Sequence, residues 1–126
     1  MFINKNLNPK GYKTDDCTVR ALASATGIGW DKAFIDIANQ AFQMKLGPTD
    51  IKVFEKIITR YGFKAVSCKA EKGKSRPKVK DIALRYRGSI AVARVAHHVV
   101  TCIDGNYIDT WDSGEAAVYK LWVKEL

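Results

Sequence analysis

The apolar residues of this chain change their spacing halfway along it, and no other feature constrains the fold as strongly. In the first half they recur at helical intervals. The run DDCTVRALASATG begins with acids able to cap a helix and ends at Gly27, with Val19, Leu22, Ala23 and Thr26 on one face. Asp31 then opens a second helix, whose Phe34, Ile37, Ala38, Ala41 and Phe42 form an apolar stripe. Gly47 and Pro48 interrupt, Thr49 or Asp50 caps, and Ile51, Phe54, Ile57, Ile58 and Tyr61 carry a third helix to Gly62. Beyond this point the period falls to that of strands. FKAVSC reads as a short strand, and VKDIALRYRG as a short fourth helix that buries Val79, Ile82, Ala83 and Tyr86 and ends at Gly88. SIAVARVAHHVVTCI is too rich in β-branched residues for a comfortable helix and is expected to be one long buried strand. Asp104-Gly105 is a strong hairpin signal, so NYIDTW returns antiparallel and AAVYKLWVK makes a last strand. Helices followed by an antiparallel sheet predict an α+β fold. A chain of 126 residues has room for one domain, spanning 1–126.

Hydrophobic residues make up 47% and charged residues 27%, the composition of an ordered globular chain rather than a disordered one. No apolar run approaches the length that crosses a bilayer, and the polar N-terminus carries no signal-peptide pattern. The expectation is a cytoplasmic protein without membrane contact. Cys17, Cys68 and Cys102 lie far apart with no CxxC pair, which predicts free thiols in a reducing compartment. A metal is not expected. Structural zinc sites need four ligands in close pairs, and His97 and His98, if adjacent on a strand, point to opposite faces.

The formal net charge is +8, an argument about acidic partners and not about fold. The excess peaks where Lys69, Lys72, Lys74, Arg76, Lys78 and Lys80 face a single local acid, Glu71. The plainer expectation is a solvated, mobile loop apart from the thiol chemistry. The other is a site for nucleic acid or an acidic protein.

Cys17 is the residue that suggests chemistry. It opens a helical pattern, and a helix N-terminus stabilises a thiolate and offers free N–H groups to an oxyanion. A nucleophilic thiol needs a base, and the only two histidines fall side by side in the most apolar strand. An acid should orient the ring. If the hairpin loop is Asp104-Gly105 alone, Asp109 is a same-face diagonal neighbour of His98; if the loop also takes in Asn106, Asp112 lies directly opposite.

This order of elements resembles the papain-like cysteine peptidases, in particular their small bacterial and phage-encoded members and the bacteriocin-leader peptidases. DDCTVRALA is similar to their nucleophile helix, and HHVVTCIDGNYIDTWDS to their histidine strand and its return. The likeness spans nearly the whole chain as an order of elements and is specific in those two motifs. It implies a fold with N-terminal helices packed on a C-terminal antiparallel sheet. It also implies a cysteine-dependent hydrolase of peptide or isopeptide bonds that takes a peptide or protein substrate through a Cys17 thioester, with no organic cofactor or metal. Carried over, Cys17 is the nucleophile, His98 the base and acid, and Asp112 or Asp109 the orienting residue. The D-T-W run favours Asp109 and a three-residue loop favours Asp112, which is the first choice; Trp111 is expected to cover the pair. The family's glutamine six positions before the cysteine is Gly11 here, leaving Asn8 and Thr14 as oxyanion-hole candidates. The alternative is a non-catalytic interaction protein of this fold that binds an acidic protein or nucleic acid through its basic surface.

Overall fold

The structure is a computed structural model and describes residues 1–68 and 73–126. Lys69, Glu71 and Lys72 therefore lie outside the described residues. The elements run β1 (Phe2–Asn4), α1 (Cys17–Thr26), α2 (Trp30–Met44), α3 (Ile51–Arg60), β2 (Lys64–Ser67), α4 (Val79–Arg85), β3 (Ser89–Val95), β4 (His98–Ile103), β5 (Asn106–Asp109) and β6 (Lys120–Glu125). Among the described residues, four helices and a six-stranded sheet of order β1-β5-β4-β3-β6-β2 make an α+β protein. Every described pairing is antiparallel except that of β1 with β5. No described helix is long and apolar enough to cross a membrane.

Helix ends follow local chemistry. Asp50 caps α3 by accepting from the Lys52 N–H at 2.9 Å. Gly27 ends α1 in the left-handed conformation, where its N–H returns to the Ala23 carbonyl. The apolar stripe expected on α2 is displaced. Its buried residues are Ala33, Ile37, Gln40 and Ala41, while Phe34 and Phe42 are 48% and 72% exposed. The helix packs against both α1 and α3, and Gln40, buried between them, accepts from Arg60 Nη1 at 2.6 Å.

Two expectations about the sheet are corrected. The stretch read as a single long strand is two, β3 and β4, joined by a two-residue turn at Ala96-His97 with Val95 paired to His98. Its unbroken apolar character has a cause other than length: the central strands are buried on both faces. Val92, Val99 and Trp122 join the core formed with α1, α2 and α3, whereas Ala91, Ala93, Val100 and Cys102 join a second core with Val79, Ile82 and Ala83 of α4. Helices thus cover both faces, not one. The polar N-terminal segment, to which the sequence reading assigns no element, adds the edge strand β1.

Candidate active site

Cys17 is the first residue of α1, whose N-cap residue Asp16 makes no side-chain capping bond. The first-turn N–H groups are therefore left for another acceptor. His98 begins β4 and is only 10% exposed at its side chain; Asp109 ends β5 and is 1% exposed. His98 Nε2 lies 2.6 Å from Asp109 Oδ2. Since Asp109 holds Nε2, Nδ1 is the nitrogen left for the thiol. Burial by itself would lower the His98 pKa, but the bond to Asp109 and the hydrogen bonding and charge of Cys17 outweigh it and raise it to about 9. For Asp109 burial pushes upward, and the His98 bond and charge, with bonds from Ser113 and Thr110, hold its carboxyl below the usual range. The Trp111 ring lies over His98, centroids 5.1 Å apart.

The choice of acid is settled by the hairpin turn. Asp104 and Gly105 take φ of 52° and 80°, the paired positive values of a two-residue loop, and Ile103 pairs with Asn106. This register makes Asp109 the diagonal neighbour of His98. Asp112 is not its partner: its Oδ1 accepts from the Tyr107 hydroxyl at 2.7 Å and the Gly114 N–H at 3.0 Å. His97 is also reassigned. It occupies the exposed β3–β4 turn at φ 56° instead of facing across the sheet.

Residues that the motifs did not single out complete the network. Arg20 donates from Nε to Asp16 Oδ1 at 2.8 Å and from Nη1 to Asp109 Oδ1 at 3.2 Å. The Asp16-to-Arg20 spacing of four was the readable signal for half of this bridge. Ser113 donates to Asp109 Oδ2 at 2.8 Å, and Trp30 Nε1 to Asp16 Oδ2 at 2.9 Å; neither contact follows from sequence spacing. Asn8 is drawn into the same cluster. Its Nδ2 reaches Asp16 Oδ2 at 3.4 Å, its Oδ1 accepts from the Lys10 N–H, and it lines neither cleft beside Cys17. Its amide is directed at Asp16 and not at the thiol, contrary to its place as an oxyanion-hole candidate. Thr14 does line a cleft with Cys17.

Two clefts meet at Cys17 and His98. The larger, about 710 Å³, has walls that include Ile51, Arg94, Val95, Val99 and Tyr119. The smaller, about 350 Å³, includes Lys13, Thr14, Thr110 and Trp111. Asp15 and His97 border both. The other thiols are embedded in the fold: burial raises the pKa of Cys68 and pushes that of Cys102 up to about 12.

The basic stretch, expected to stand apart, reaches this region. Arg76 donates to the Cys68 carbonyl, and its guanidinium lies 4.6 Å from the ring centre of Tyr119, a wall of the larger cleft. Lys78 bonds Glu115 at 2.6 Å and Lys80 bonds the same carboxylate. Glu115 is distant in sequence, which is why local charge counting missed it. Lys74 borders a separate cleft with Arg76, Lys78 and Arg85.

No protein-family model, curated protein or solved structure matches the chain.

Proposed function

We propose that the protein is a cysteine-dependent hydrolase of papain-like design, acting on a peptide or isopeptide bond in a reducing, cytoplasmic setting. The observation that carries this reading is the position of His98, with Asp109 at 2.6 Å on one ring nitrogen and Cys17 acting on the same ring. A nucleophile at a helix start, a base beside it and an orienting acid behind are the parts that acyl transfer requires.

The steps follow from these parts. The Cys17 thiolate, paired with protonated His98, attacks the carbonyl carbon through Sγ, and the developing oxyanion turns toward the uncapped N–H groups of α1. His98, kept protonated at neutral pH by a pKa of about 9, gives its proton to the leaving amine as the C–N bond breaks. A thioester on Cys17 remains. Acylation removes the thiol hydrogen bond and charge, two of the causes that raise the His98 pKa, so the ring becomes a better base. It then takes a proton from water, whose oxygen attacks the thioester; the C–S bond breaks, the acid is released, and the Cys17 thiolate beside protonated His98 is restored. Asp109 holds the ring throughout, and Arg20 and Ser113 hold Asp109.

The test uses an activated ester, because it needs no knowledge of the natural substrate. Mixed with p-nitrophenyl acetate, the protein is expected to release a burst of about one p-nitrophenol per chain, with the acetyl group on Cys17 by mass spectrometry. Cys17→Ala should abolish the burst. A folded protein with no burst, or with acetylation led by Cys68, would overturn the catalytic reading. The second reading, binding of an acidic protein or nucleic acid, rests on the cleft of about 540 Å³ bordered by Lys74, Arg76, Lys78 and Arg85, and it would then take precedence.

A further inference from the structure

The larger cleft at Cys17 is polarised. Its floor is apolar: Val99, which is 4% exposed and shares a sheet face with its pairing partner Arg94, lies there with Ile51. Arg94 projects from β3 on one wall and is exposed, with no ion-pair partner among the described residues. Tyr119 adds a ring to this wall, and the Arg76 guanidinium, which borders the separate cleft, lies 4.6 Å from that ring and hydrogen-bonds a neutral carbonyl. The one carboxylate bordering the cleft among the described residues, Asp15, comes from the segment that leads into α1 and is shared with the smaller cleft. A substrate side chain with methylenes for the floor and an anion for this wall satisfies both surfaces. A lysine there would set like charges together.

We propose that this cleft is the specificity subsite and selects acidic side chains, glutamate above all, through Arg94. The inference rests on the catalytic reading of Cys17 and names its substrate class as an acidic peptide. Arg94 acts as a specificity residue and takes no part in bond making. Because the ion pair is exposed to solvent, the selectivity is modest and sensitive to salt.

The experiment offers the folded protein a mixture of bromoacetyl tripeptide amides bearing Glu, Gln or Lys and reads the adducts on Cys17 by mass spectrometry. Urea-unfolded protein supplies the reference ratios. Glu members are expected to exceed Lys members by about threefold at low salt, falling toward parity as salt rises. Arg94→Gln should remove the preference and Arg94→Glu should reverse it. Fast labelling of Cys17 without preference for Glu, or a preference that survives Arg94→Gln, overturns the proposal while sparing the catalytic reading. Labelling of Cys17 no faster in the folded than in the unfolded protein defeats both.

Discussion

Asp109 meets two partners on each carboxylate oxygen: His98 and Ser113 on Oδ2, Arg20 and the Thr110 N–H on Oδ1. A carboxylate with 1% exposure stays ionised only because its lone pairs are filled in this way. Arg20 matters most, since it also binds Asp16 and so ties the end of β5 to the start of the nucleophile helix. Removing one member of a buried ion pair strands the other. Arg20→Met is expected to cost about 3 kcal/mol in urea unfolding, and Arg20→Lys to recover only part, because an ammonium cannot fork between two carboxylates. A loss under about 0.5 kcal/mol would show that the bridge contributes little. At this scale Cys17 and His98 were readable from their order and spacing, whereas Asp109 stood second to Asp112. Which acid pairs with His98 was not, because that depends on whether one residue, Asn106, belongs to a turn or a strand.

The two turns of the sheet explain what the elements revealed and what they hid. Asp104-Gly105 announces its hairpin, since both residues accept positive φ at little cost. Ala96-His97 announces nothing. It lies between Val95 and His98, and His97 adopts φ 56° with an ordinary side chain. A strand of fifteen residues would run about 50 Å at about 3.3 Å per residue, well beyond the usual strand length, and that excess itself favours a break. The turn also yields a prediction about the histidines. His97→Gly should raise stability by up to about 1 kcal/mol by relieving the left-handed backbone, and should leave the alkylation rate of Cys17 within about twofold. A collapse of that rate in His97→Gly, read beside the urea midpoint, would give the base's role to His97.

For the whole molecule, sheet order determines where chemistry can sit. β3 and β4 are central and covered on both faces, so only their ends reach solvent. The candidate site lies at such an end, where β4 begins, β5 finishes and α1 starts. The helix-then-strand pattern made the α+β class legible. The covering of the second face by α4 and the parallel pairing of β1 were not legible, because each is a long-range contact with no local period. The positive charge, too, is distributed by long-range partners: Glu115 takes up Lys78 and Lys80, while Arg76 lies against the Tyr119 ring.

The central claim is that Cys17, His98 and Asp109 act as one unit, and iodoacetamide alkylation against pH tests it most directly. At pH 7 Cys17 should outpace Cys68 and Cys102 by at least about tenfold, since burial keeps those two thiols protonated. His98 is charged below its pKa of about 9 and neutral above it, so the lead of Cys17 should hold from neutral pH up to about 9 and shrink beyond. His98→Ala should abolish the lead. Asp109→Asn removes a principal cause of the raised His98 pKa, so the high-pH limit of the lead should move down. Equal reactivity of the three thiols, or a Cys17 profile unchanged in both variants, would contradict the account.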